Sequence, residues 1–227
     1  LHVHKGYEQD KEVLHDLSLQ VCRGDFVLLA GPNGSGKTTL LSCILGIERI
    51  SQGHILFEGI NLQELTPGQL SVIRRRMGLI SQDFKLLGYR SVYENTAMPL
   101  RAAGKSNAFI SKRIVQVLCF VGLQNKMDTP CRELSAGEQR LAAIARAVAN
   151  DPAILLVDEP TANLDENAAR DVMSILEEIH LRGATVLLAT HNPSLPSLIP
   201  EGRIIEIRQG AACERSNPKQ SFLSIVR

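Results

Sequence analysis

The chain has 227 residues, 44% hydrophobic and 22% charged, which is enough apolar material for a sizeable core and too much for a disordered segment. Its 25 Lys and Arg against 24 Asp and Glu leave a formal charge of +1, so no net field draws it to nucleic acid or anionic lipid, and no nucleic-acid partner is expected. The 5 cysteines are scattered without a C-x-x-C pair, which excludes a disulfide framework or a zinc site and suits a reducing compartment; no run approaches the ~18 apolar residues of a membrane span, and the N-terminus does not resemble a signal peptide.

In chain order, residues 26–30 form a short apolar run that reads as a strand ending in a glycine-rich turn. Residues 38–46 then place Leu40, Leu41, Ile44 and Leu45 at helical spacing, and 54–57 and 77–80 read as further strands. From 83 to 149 there is little β signal: Ile110, Ile114, Val117, Leu118 and Val121 mark an amphipathic helix, and 138–149 is alanine-rich and helical. Residues 154–157 form a β-branched and leucine run suited to a strand buried on both faces. Val172, Leu176 and Ile179 set one face of a helix over 167–180, with Gly183 as its stop. Strands follow at 185–189 and 203–207, and 211–227 shows no clear period and reads as a loosely held tail. Alternating strands and helices imply an α/β domain with a parallel-rich sheet. Its core covers about 1–82 and 150–210, and a helical subdomain is inserted over about 83–149.

Gly31-Pro32-Asn33-Gly34-Ser35-Gly36-Lys37-Thr38 fits G-x-x-x-x-G-K-[ST] between a strand and a helix, with Thr39 next in line. In that context the glycines let backbone N–H groups converge on a phosphate, helped by the helix dipole; Lys37 reaches the terminal phosphates and Thr38 ligates Mg²⁺. Asp158 and Glu159 close the strand at 154–157, so Asp158 is a candidate Mg²⁺ ligand and Glu159 a candidate general base. Ser135 and Glu138 have the spacing of a capping box at the start of the alanine-rich helix, where Ser135 and the Gly137 backbone could also receive a phosphate. Asn125-Lys126-Met127-Asp128 matches the guanine reader N-K-x-D, but no Asp in the chain has Gly three residues on, so the D-x-x-G switch of a GTPase is missing.

Together these motifs resemble the ATPase subunits of ABC transporters over residues 3 to about 209. The resemblance implies a single phosphate-loop NTPase domain over 1–227 with a RecA-like core, a small antiparallel β part and the inserted helical subdomain. It implies that Tyr7 stacks on adenine, that Gln82 touches Mg²⁺ and the attacking water, and that His191 senses the γ-phosphate. Leu134 to Gln139 resemble the family signature, and Asn163, Leu164 and Asp165 the segment that crosses the dimer interface. Ala136 and Glu138 depart from the usual LSGGQ, and Asn192 stands where Asp is usual. ATP is then held between two copies of the chain, Lys37 and Thr38 of one facing Ser135 and Gly137 of the other. Work passes to a separate membrane permease through a cleft near 84–93, lined by Phe84, Leu86, Leu87, Tyr89 and Tyr93, which places the chain on the inner face of the plasma membrane. Residues 46–49, 74–78, 82–87 and 92–95 look most like the FtsE subfamily of cell-division ATPases, whose partner is an FtsX-like permease controlling cell-wall hydrolases. Residues 97–100 fit lipoprotein-releasing and macrolide-export ATPases equally well. A soluble ABC ATPase acting on nucleic acid or ribosomes is the reading from another class, and the chain has neither the coiled-coil insertion nor the second cassette usual there. Arg74, Arg75 and Arg76 suit either a solvated turn or contact with anionic headgroups.

Overall fold

The computed structural model describes residues 1–7, 11–83, 85–162, 164–195 and 202–215. In chain order the elements are β1 (Val3–Tyr7), β2 (Lys11–Leu17), β3 (Phe26–Ala30), α1 (Lys37–Ile44), β4 (Leu56–Phe57), β5 (Ile60–Asn61), α2 (Pro67–Arg74), β6 (Met77–Ile80), α3 (Val92–Ala102), α4 (Asn107–Phe120), α5 (Ala136–Val148), β7 (Ile154–Asp158), α6 (Glu166–Leu181), β8 (Thr185–Thr190), β9 (Arg203–Arg208) and β10 (Ala211–Arg215). They fall into two compact units, Leu1–Val72 with Thr185–Arg227, and Ile73–Ala184.

In the first unit β3 lies between β8 and β9 and runs parallel to both, with Val27 opposite Leu187 on one side and Arg203 on the other. β10 pairs antiparallel with β9. Phe26, Val27, Leu28 and Leu29 are all buried, as is every residue of β8, so both strands read as unbroken apolar runs rather than alternating ones. Each such side chain contributes about 1.5–3 kcal/mol by leaving water. β1 and β2 pair antiparallel, with register irregularities on either side of Lys5, and the His15 amide donates to the Gly210 carbonyl at 3.0 Å. β4 and β5 make a further antiparallel pair.

In the second unit β6 and β7 are parallel, Met77 opposite Ile154. α4 buries Ile110, Ile114, Val117 and Leu118, and α5 buries Ala142, Ala143, Ile144 and Ala145. The small side chains of α5 let α3 and β6 pack against it. Arg113 closes the open end of α5: its guanidinium donates to the carbonyls of Ala149 at 3.0 Å and Val148 at 3.3 Å and pairs with Asp151, satisfying groups that a helix end leaves without partners. α6 buries Val172, Met173, Leu176 and Ile179.

The structure departs from the sequence reading in several places. Of the strand expected over 54–57 only Leu56 and Phe57 pair; the His54 carbonyl instead accepts from the Leu1 amino group at 2.7 Å. Residues 211–215 are not a loose tail but strand β10, and 216–227 lie outside the described residues. Among the described residues, β6, β7 and α6 group with the helices of 83–149 in the second unit.

Candidate active site

Gly31 to Gly36 form the turn between β3 and α1, and two glycines there are dictated by close approach. A Cβ on Gly31 would lie 2.3 Å from the Ile207 carbonyl oxygen of β9. A Cβ on Gly36, which caps α1 in the left-handed conformation with φ 102°, would meet Leu14 Cδ2 at 2.7 Å and the Val13 carbonyl at 3.1 Å. The loop is thereby seated against β9 and β2, and the Leu40 amide donates to the Gly36 carbonyl at 2.8 Å to start the helix. Lys37 is buried, and its ammonium donates to the carbonyls of Gly31 at 2.8 Å and Pro32 at 2.9 Å. Ser35 Oγ is also buried and has no hydrogen-bond partner among the described residues. A buried hydroxyl left so costs about 1–3 kcal/mol, and an acceptor oxygen arriving from a phosphate would recover that. α1 has no acidic residue in its first turn to compete for its dipole. Asn33, Gly34 and Thr38 are exposed, Pro32 likewise, and Thr39 is half-buried. The cradle therefore suits a polyphosphate.

Two more predicted residues belong to the first unit. Tyr7 ends β1 with 45% of its surface exposed. His191 directly follows β8 and is exposed. Beyond it the Asn192 amide donates to Thr190 Oγ1 at 3.0 Å, and Asn192 Oδ1 accepts from the Ser194 amide at 2.9 Å. Aspartate offers the same acceptor oxygen, so Asn192 keeps the turn that the usual residue would make.

The second unit holds the carboxylates. Asp158 ends β7, and Asp158 and Glu159 are both only 6% exposed. Glu159 sits at φ 49°, a conformation that costs a non-glycine residue on the order of 1–3 kcal/mol unless its surroundings hold it. Arg140 provides such a hold. It is buried on α5 and donates to the Glu159 carbonyl at 2.7 Å and the Ala162 carbonyl at 2.9 Å, and burial brings its pKa down to about 10. Gln82 is exposed just past β6.

The signature segment folds as a capping box. Ser135 Oγ accepts from the Glu138 amide at 3.2 Å, and Glu138 Oε2 accepts from the Ser135 amide at 2.9 Å. The Ser135 amide, with Lys126 at 3.3 Å, holds the Glu138 carboxyl below the usual carboxylate range. Ser135 and Ala136 are exposed, and among the described residues a Cβ on Gly137 would meet only Ala168 Cβ, at 3.7 Å. Asp165 is used within its own chain: its carboxylate accepts from the amides of Asn167 and Ala168 and caps α6. Lys126, central to N-K-x-D, is drawn into the Glu138 pair on a 3₁₀ turn that follows α4.

Of the proposed permease cleft, Phe84 lies outside the described residues, as does Asn163 of the interface segment. Leu87 is 47% and Tyr89 84% exposed, with the Arg132 guanidinium 4.7 Å from the Tyr89 ring centroid. Tyr93 is half-buried, its hydroxyl 3.2 Å from Ser111 Oγ. The fully buried Asn95 fixes this loop: Oδ1 accepts from the Leu87 amide at 2.9 Å, and Nδ2 donates to the carbonyls of Leu87 at 3.1 Å and Ser91 at 3.0 Å.

Arg140 and Asn95 were not identified from the sequence. Each is a polar residue set among buried neighbours in a helix, Arg140 within an alanine-rich run and Asn95 beside Thr96 and Ala97. That interruption of an apolar face is the signal each carries.

Residues 14–162 match the family model described as "ABC transporter". The chain is 42% identical over 196 residues to the cell division ATP-binding protein FtsE of Escherichia coli, covering 86% of this chain and 88% of that one. It is 38% identical over 208 residues to FtsE of Bacillus subtilis, covering 92% and 91%. Among solved structures it resembles the dimeric post-hydrolysis state of the ATP-binding cassette MJ0796 bound to ADP and Pi, with a TM-score of 0.85 at 30% identity over 95% of this chain and 96% of that one. It also resembles cbiO1 of Clostridium perfringens, part of the ABC transporter complex cbiONQ, with a TM-score of 0.86 at 27% identity over 98% and 89%. The phosphate-loop NTPase fold and these relatives agree: the chain belongs to the ABC transporter family, as an ATPase cassette of the FtsE type.

Proposed function

We propose that the chain binds and hydrolyses MgATP as an ATP-dependent homodimer, and that it gates an FtsX-like permease that controls cell-wall hydrolysis. The phosphate loop is the observation that carries the reading: Ser35 Oγ is buried without a partner among the described residues, and Lys37 lies over the loop carbonyls. A triphosphate satisfies the first and recruits the second. Gly31 to Gly36 receive its oxygens through backbone N–H groups, Thr39 supports the start of α1, and Tyr7 stacks on the adenine. Thr38, Gln82 and Asp158 offer only oxygen donors, which suits Mg²⁺; the ion, when bound, neutralises charge on the phosphate oxygens. Glu159 accepts a proton from the attacking water as general base, Gln82 orients that water and His191 contacts the γ-phosphate. Ser135, Gly137 and Glu138 form the second half-site, offered to the nucleotide of the other copy, with Asp165 near that interface.

The name shared by the FtsE relatives supports the cell-division role. Among the described residues no helix is long and apolar enough to cross a membrane. The ABC transporter family supports delivery of the work to a partner, and the exposed Leu87 and Tyr89, which follow Gln82 in the chain, are the surface offered to it. The chain then sits peripherally on the inner face of the plasma membrane. Lys37→Ala tests the phosphate-loop assignment: calorimetry is expected to show loss of ATP binding, and unchanged affinity would overturn it.

A further inference from the structure

Tyr7 does not stand alone at the end of β1. Two residues earlier on the same strand, Lys5 is buried to 8% exposure, and its ammonium lies 4.6 Å from the Tyr7 ring centroid. The same ammonium pairs with Glu48 Oε2 at 2.9 Å. Glu48 is in turn anchored to α1: its amide and that of Ile47 donate to the Ser42 carbonyl at 3.2 and 2.9 Å, and the Gly46 amide donates to the Cys43 carbonyl at 2.9 Å. Cys43 is buried, which pushes its thiol up to about 11. A second line of contact runs in parallel. Lys5 faces Leu14 across the hairpin, and Leu14 is the side chain against which the Gly36 backbone closes at the start of α1.

We propose that Lys5 is a positioning residue for the nucleotide base: with Glu48 it locks the Tyr7 ring to the helix that begins at the phosphate loop, and so sets the spacing between base and phosphates. The inference rests on the reading of Tyr7 as the adenine stacker. An ammonium against one face of a phenol ring fixes that ring and leaves the opposite face for the base, and it draws electron density from a ring that stacks on a purine. A lysine is otherwise costly to bury in a strand, and its irregular register on both sides is the local distortion that lets it reach both Tyr7 and Glu48.

The test is calorimetric affinity of the full chain for MgATP and, as a probe with phosphates and no base, for magnesium tripolyphosphate. Lys5→Met keeps the length of the side chain and removes its charge. It is expected to weaken ATP by about 3- to 10-fold, the size of a partly exposed cation–π contact, and to leave tripolyphosphate unchanged. In a Tyr7→Ala background the same substitution should have no further effect. Glu48→Gln leaves Lys5 in place without its anion and should show a smaller loss with the same selectivity, which keeps the proposal open to refutation if Lys5→Met does not fold. Equal losses for both probes, no loss, or a full effect without Tyr7 would each overturn it. If Tyr7→Ala itself spares ATP, the stacking assignment of Tyr7 fails; if Tyr7→Ala is selective and Lys5→Met is not, the role of Lys5 fails alone.

Discussion

Arg140→Lys separates the fork of a guanidinium from its charge at a place where the fork has two acceptors. Arg140 spans the carbonyls of Glu159 and Ala162 at 2.7 and 2.9 Å, and a lysine ammonium, as a single point donor, keeps at most one. Hydrogen bonds from charged groups are worth about 1.5–3 kcal/mol each, so the loss of one lowers stability by about 2 kcal/mol. For a chain of this length that is a fall in Tm of about 4–8 °C. Burial already brings the arginine down to about 10; a lysine begins near ~10.4 and the same burial drives it further toward the neutral form. The larger consequence is for turnover. Glu159 is held at φ 49°, and freeing its carbonyl lets that strained backbone relax and move the carboxylate. A displacement on the order of 1 Å costs about 100-fold in rate. The expected result is a kcat down by about two decades with ATP affinity unchanged, measured by steady-state hydrolysis and calorimetry beside a melting curve. A wild-type kcat in a variant with a lowered Tm would refute the link between Arg140 and Glu159, and so would a parallel loss of ATP binding.

Other substitutions follow from the same geometry. Ser135→Ala removes the cap of α5 and should lower stability by about 1 kcal/mol, and if Ser135 forms the second half-site as proposed, the substitution should slow hydrolysis more than it weakens binding to the dilute chain. Glu138, whose folded pKa lies below its unfolded value of 4.5, contributes stability above that value and loses it as pH falls through the folded pKa. A Tm difference between wild type and Glu138→Gln should therefore be present at neutral pH and vanish in acid; a difference constant with pH would contradict the assignment. Asn95→Leu strips the loop that presents Leu87 and Tyr89 of its polar anchor, leaves the Leu87 amide without that acceptor, and should cost about 2–4 kcal/mol by thermal unfolding. Binding to a detergent-solubilised permease should fall with it, and retention of both stability and binding would argue against that anchor.

Much of the fold was legible because buried parallel strands announce themselves. FVLLA at β3 and the ILLV of β7 that precedes Asp158 have no polar position, which only a strand covered on both faces tolerates. β1 and β2 were missed because Lys5 and Leu14, both buried, sit in segments crowded with His, Lys, Glu and Gly, and no alternation survives. α3 carries Pro99 in its interior, a residue that reads as a helix breaker. β10 needs its partner β9 to exist at all, since Ala211 to Arg215 show no pattern of their own. The candidate site was legible where spacing is fixed by the ligand, as from Gly31 to Thr38. It was illegible where one residue serves another across the chain, as Arg140 serves Glu159 and Glu48 pairs with Lys5, because such pairs leave no period in the sequence.

In the proposed dimer a triphosphate is completed only by two copies of the chain, and the rate of ATP hydrolysis per chain over a dilution series reports that completion. The per-chain rate should climb in proportion to protein concentration at the dilute end and level off once the dimer is saturated. A per-chain rate that stays the same at every dilution would contradict a site shared between two copies.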